Sequence, residues 1–416
     1  MKKLIGALLI SMLLLLSACT NGGSEISKVK LTMWTTTSKE ETAFFQEQIH
    51  AFQVEHPEIQ VTLSQRPFPF ATHEFKTSIL GDQGIDVFRA DNSWIPEYAA
   101  LGILYQLDSI ASQEELSCFV PSALNAASYQ GHVLGFPSVT EVPALLYNKE
   151  LLKQAGFTHP PETMDELSVM AKALTVGSQY GIFVTEDSYF ALPYLWAFGG
   201  GMVTDDRKIE IATAQSQQAF AFMRQLRQDG VTQPYPDFVD WYNKMMKDFQ
   251  DGKVAMMMNG PWAIHDVLQG KSFTDSANLG IAPIPKGPLG QGSPIGGHSF
   301  VINKYSRHPK ESYELIRYLT SAETQVKQSR IFKTLPTQKA AYEDPSLASD
   351  FIFQGFKQQL ESAKSLPKIP ENSKLYRDFT PHVHAMLLGK ETVQEGVLSI
   401  ERSWFELLRL KDDPAK

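Results

Sequence analysis

Val29-Lys30-Leu31-Thr32-Met33-Trp34, then Ser38-Lys39-Glu40-Glu41, then Val61-Thr62-Leu63: these pieces decide the fold class. The first alternates apolar and polar residues, the period of a half-buried strand. Ser38 and Glu41 stand at capping-box spacing, and Phe45, Ile49 and Phe52 follow on one helical face. Pro57 stops that helix. Residues 61–63 form the next strand, so the chain opens β-α-β, the start of an α/β fold with largely parallel sheets.

Further along, Asp86-Val87-Phe88 is another short strand, and residues 95–107 read as mostly helical. Thr163-Met164-Asp165-Glu166 is a second capping box, with Leu167, Met170, Ala171 and Leu174 on one face. The apolar runs 254–258 and 299–302 read as buried strands. Residues 283–297, rich in Pro and Gly, read as a turn-laden connection. No repeat of solenoid length is present. A chain of 416 residues suggests two or three domains. Its composition, 43% hydrophobic and 20% charged, is that of a globular protein rather than a disordered or fibrous one. A formal charge of −8 argues against a nucleic-acid-binding surface, which needs clustered Lys and Arg.

The N-terminus has a different character. Met1-Lys2-Lys3 is a short positive segment, and residues 4–16 are an apolar run too short to span a bilayer, which needs about 20 residues. That pattern is a secretory signal. Leu16-Ser17-Ala18-Cys19 resembles a bacterial lipobox, which implies that Cys19 is diacylated and becomes the first residue of the mature chain. The expected segments are thus a signal over 1–18 and a flexible polar tether over 19–28. The other cysteine, Cys118, is then without an intramolecular partner and is expected to be a small buried or half-buried side chain.

A search for reaction chemistry nominates little. No Gly-x-Ser-x-Gly elbow or His-Glu-x-x-His motif occurs. Gly270-Lys271-Ser272 resembles the end of a phosphate loop, but His265 stands where its first glycine belongs. The pair Gly290 and Gly292 lacks a third glycine, since Ile295 stands there. His382 and His384 have no third ligand near them in sequence and read as ordinary histidines. No catalytic residue, metal or cofactor is called. Carboxylates are plentiful enough to leave a glycosidase-like pair open by counting, though none is singled out. Aromatics are the more informative signal. Trp34, Trp94, Tyr189-Phe190, Trp196, Trp241-Tyr242, Trp262 and Tyr376 are scattered near turns and helix starts. Most buried aromatics are core, yet Trp and Tyr beside polar residues also suit sugars, whose rings offer an apolar face and a rim of hydroxyls.

Several segments in order carry a resemblance. They are Phe52-Gln53-Val54-Glu55-His56-Pro57-Glu58-Ile59, Ala100-Leu101-Gly102-Ile103-Leu104-Tyr105, Gly131-His132-Val133-Leu134-Gly135-Phe136-Pro137, Leu146-Tyr147-Asn148-Lys149-Glu150-Leu151-Leu152, Pro160-Pro161-Glu162-Thr163 and Asn259-Gly260-Pro261-Trp262. From Val29 onward the chain resembles the extracellular solute-binding lipoproteins of bacterial ABC importers, in their sugar-binding branch. Tyr189-Phe190, Phe198-Gly199-Gly200-Gly201 and Leu366-Pro367-Lys368-Ile369-Pro370 make it most similar to maltose/maltodextrin-binding proteins.

The resemblance implies a two-lobe, type II periplasmic-binding-protein-like α/β fold with ligand between the lobes. It implies an N-terminal lobe of 29–139 plus 299–333 and a C-terminal lobe of 140–298 plus 334–416. Implied ligand-binding residues are Lys39, Asp91, Asn92, Trp94, Glu141, Tyr189, Phe190, Trp262 and Tyr376. Arg89-Ala90-Asp91-Asn92-Ser93-Trp94 departs from the best-known members, placing Ala90 where they have a stacking tryptophan. The role implied is a monomeric, non-catalytic, cofactor-free receptor, extracytoplasmic and lipid-anchored to the membrane. It would deliver a maltodextrin-type oligosaccharide, or another oligosaccharide or disaccharide such as cyclodextrin, trehalose or galacto-oligosaccharide, to permease subunits.

Overall fold

The computed structural model describes residues 28–80, 84–234 and 240–409. The signal, Cys19 and nearly all of the tether lie outside them. The opening folds as β1 (Val29–Thr35), the helix Lys39–Glu55 and β2 (Ile59–Gln65), with β1 and β2 parallel in unbroken register. Ser38 caps the helix by accepting the Glu41 amide hydrogen at 3.1 Å. The reciprocal half of the box is given up, because Glu41 turns toward Arg89 (3.9 Å) and accepts from Gln328 (3.3 Å). Thr163 likewise caps the helix Met164–Leu174.

The remaining strands are β3 (Val87–Asp91), β4 (Ser128–Tyr129), β5 (His132–Val133), β6 (Gly135–Glu141), β7 (Ala144–Asn148), β8 (Tyr180–Phe183), β9 (Val254–Asn259), β10 (Leu279–Ala282), β11 (Ser293–Ile302) and β12 (Ala363–Ser365). One sheet has the order β12-β11-β3-β1-β2, with β6 also on β11; a second has the order β10-β7-β9-β8. Both are covered on both faces, which explains why their strands read as apolar runs. In the first, Met33, Val87 and Phe300 enter one cluster while their neighbours Trp34, Phe88 and Val301 enter the other. In the second, Met256 and Met258 enter one cluster and Met257 the opposite one. A period of two distributes consecutive apolar residues between two cores.

The chain passes from the first sheet to the second between Glu141 and Ala144. It meets the first again at β11, and Leu335 then bridges Thr140 at the end of β6, the Thr140 amide donating to the Leu335 carbonyl at 2.9 Å. Because β7 runs against both its neighbours and β11 against β3 and β6, the sheets are mixed rather than largely parallel: β3/β11, β6/β11, β7/β9 and β7/β10 are antiparallel.

Other expectations need correcting. The helix expected over 95–107 ends at Ala100, where Leu101 caps it and Gly102 takes φ +66°, a left-handed conformation that suits glycine. The turns of 283–297 give way at Ser293 to β11, which continues to Ile302. Cys118 is exposed, because it caps the one-turn helix Gln113–Ser117 and its thiol turns back to the Glu114 carbonyl at 3.4 Å. No described helix is long and apolar enough to cross a membrane.

Candidate functional site

The C-terminal ends of β3, β6 and β9 supply most of the candidate residues. β3 ends in Asp91, whose carboxylate accepts the Ser93 amide hydrogen at 2.8 Å and so caps a short turn. In that turn the Asn92 side-chain oxygen accepts from Ser299 of β11 at 2.6 Å. β6 ends in Glu141, buried, with His298 Nδ1 of β11 at 3.1 Å. β9 ends in Asn259-Gly260, followed directly by the turn Pro261–Ala263 that carries Trp262. The Trp262 ring lies so closely over Gly260 that a Cβ there would fall 2.0 Å from it. Gly260 is therefore needed for close approach rather than for an unusual φ.

From the second sheet's side, Asp187 caps the helix Ser188–Ala197 by accepting the Tyr189 amide hydrogen at 2.9 Å. This sets Tyr189 on the first turn, its hydroxyl 3.6 Å from where a Cβ on Gly296 of β11 would stand. Tyr376, on the helix Asn372–Leu387, has a hydroxyl sealed from solvent and without a hydrogen-bond partner. Both phenols feel the charge of Asp91 from the first sheet and of Asp187 from their own side. One helical residue from Leu375, Lys374 reaches Glu97 at 3.2 Å, and Glu97 also holds Lys76 at 3.0 Å. Side chains from the two sheets' layers thus meet here.

The electrostatics keep the phenols as neutral hydrogen-bonding groups. Burial pushes the Tyr189 hydroxyl well up, and the neighbouring Tyr376, Asp91, Glu141 and Asp187 push the same way. Burial also raises Tyr376, with Asp187 and Asp91 adding to it. Tyr242, within hydrogen-bonding reach of Asn259 and Trp262, is pushed by burial up to about 12. Burial alone would raise Glu141. The charge and hydrogen bond of His298, with Arg89, outweigh it and hold the carboxyl below its usual range. A surface of phenols, ionised carboxylates and an indole face can bind hydroxyl rims while stacking on an apolar ring face.

The structure therefore brings Asp91, Glu141, Tyr189 and Tyr376 together, with Trp262 linked to them through Tyr242, which feels Glu141. Lys39 is exposed on the first turn of its helix and makes no hydrogen bond or ion pair to the others. Phe190 is buried in the second sheet's core, edge-on to Trp241 at 5.5 Å. Trp94 is 5% exposed, in the first sheet's core with Phe88 and Tyr98. His298 and Asp187 were not singled out, and Tyr242 stood among the noted aromatics but not among the ligand-binding residues. Only Tyr242 had a sequence signal, beside Trp241 at a helix start.

A model of the bacterial extracellular solute-binding proteins matches residues 47–355. The chain belongs to that family. A maltotriose-binding protein of Pyrococcus abyssi (strain GE5 / Orsay) is 26% identical over 357 residues, covering 84% of this chain and 75% of the relative. Among solved structures of similar fold, the GacH receptor of Streptomyces glaucescens GLA.O, determined unliganded and in complex with acarbose and an acarbose homolog, is 32% identical. It superposes with a TM-score of 0.87, covering 92% of this chain and 99% of the receptor. Maltose-bound MalE3 of T. maritima is 26% identical with a TM-score of 0.80, over 91% of this chain and 99% of MalE3. This solute-binding protein thus has the two-lobe fold of maltose-binding-type receptors.

Proposed function

We propose that this chain is the receptor of an ABC importer, capturing α-linked glucose oligosaccharides of the maltodextrin type and delivering them to permease subunits. The observation that carries the reading is the convergence of Asp91 from one lobe with Tyr189 and Tyr376 from the other, beside the Glu141–His298 pair at a crossing. The maltotriose-binding and maltose-bound relatives support the choice of sugar. The lobes are 29–139 plus 299–333 and 140–298 plus 334–416. A ligand touching both is best held when they close, so it shifts the population toward the closed form. The role is binding without turnover, by a monomer. A thermal-shift screen against maltose, maltotriose, maltohexaose, cyclodextrin, trehalose and galacto-oligosaccharide tests the reading. A ligand at 100 times its Kd adds about 2.7 kcal/mol of stability. Stabilisation by the maltodextrins, with no shorter products from maltohexaose, is the expected result; indifference to them, or turnover, overturns it.

The membrane end of the proposal rests on Cys19. Each buried methylene of an acyl chain contributes about 0.8 kcal/mol, and two chains anchor stably. Cys19→Ala is expected to leave uncleaved precursor or to release the protein from membranes; normal processing with membrane retention would refute lipidation.

A further inference from the structure

We infer that Phe68 is the first lobe's stacking surface for the ligand ring, a specificity residue that complements the second lobe's Tyr189 and Trp262. The inference rests on the cleft reading proposed above. A pyranose ring has two faces, and the second lobe supplies half-buried aromatics to the cleft: Tyr189, Trp262 and Tyr376. The first lobe's aromatics near the cleft are mostly used up in its core. Trp34 and Trp94 are each 5% exposed, Phe88 is fully buried, and Ala90, next to last in β3, is buried and has no ring to offer.

Phe68 and Phe70 are exposed, and of the two it is Phe68 that lies against Trp94 and His298. It opens the helix Phe68–Leu80 and is 47% exposed. Its ring lies 5.0 Å from Trp94 at 39°, so Trp94 backs it. It also stands edge-on to His298, the partner of Glu141, at 6.4 Å. Pro67 and Pro69 flank it in sequence, and proline fixes φ, which limits how far the backbone can carry the ring away. A large aromatic held at such exposure, beside the buried polar pair of a cleft, lacks a partner that a sugar face would provide.

The test uses the mature full-length protein and maltotriose in titration calorimetry, with apo melting temperatures alongside. Stacking on an aromatic ring, by analogy with bases on aromatics, corresponds to roughly 5- to 150-fold in Kd. Phe68→Ala is expected to weaken binding within that range at an unchanged melting temperature. Phe68→Tyr is expected to restore it, and Phe68→Leu, apolar but without a flat face, to fail. Wild-type affinity in Phe68→Ala or in Phe68→Leu overturns the inference, as does a loss in Phe68→Ala matched by a collapse in stability. Failure of the wild-type protein to bind maltotriose or any other sugar of the screen removes the cleft reading itself, and this inference with it.

Discussion

Trp262→Ala is expected to weaken maltotriose binding by roughly 5- to 150-fold, the range of one aromatic stacking contact. Its ring is half-buried where the two core clusters of the second lobe meet, folded over Gly260 and within reach of Tyr242. It sits just past the C-terminal end of β9, where ligands gather in α/β sheets. Its loss should therefore lower apo stability by far less than the roughly 3–5 kcal/mol of a core aromatic truncation. Calorimetric titration and apo melting read the two quantities separately. A large fall in melting temperature with affinity intact would mean that Trp262 plugs the lobe.

Trp404 supplies the opposite case. It is 0% exposed in the helix Val393–Arg409, its indole N–H donates to the Leu375 carbonyl at 3.0 Å, and its ring meets Phe379 edge-on at 5.3 Å. Trp404→Ala is expected to cost about 3–5 kcal/mol, a cavity and a lost hydrogen bond together. For a lobe of this size that corresponds to a fall in melting temperature on the order of 10 °C. A melting temperature within about 2 °C of wild type would show that this helix is not integral to the lobe's core.

The two tryptophans show what was legible and what was not. Trp262 could be placed because Asn259-Gly260-Pro261 is a turn directly after an apolar run, and a turn there puts the next residue at a sheet end. Trp404 stands in no such context, and only its packing against the preceding helix, Asn372–Leu387, makes it core. Strands β1, β2, β3 and β9 and the two capped helices were readable from local periodicity. Strand direction was not, because it depends on which lobe a strand returns to. Glu41 matched a capping box but serves Arg89 and Gln328 instead, a tertiary demand overriding a local one. Of the candidate residues, Asp91, Glu141, Tyr189, Tyr376 and Trp262 were implied only through resemblance, since nothing local in the sequence says that they lie near one another. Phe68 escaped because an aromatic between two prolines carries no periodic signal, and its role depends on what buries Trp94.

The position of β11 has a consequence for how this chain is made. β11 lies between β3 and β6, and Ser299 bonds Asn92 across 207 residues of sequence. A nascent chain leaving the ribosome therefore carries β1, β2 and β3 for about half of its synthesis with the flank of β3 uncovered. Such an edge is a template for wrong pairing until its late partner arrives. Contacts of that sequence separation also slow the final assembly, since the loop must close before the pairing stabilises it. The strand between β3 and β6 thus keeps the polypeptide unfinished, and open to chaperones, until well over half of it has been translated.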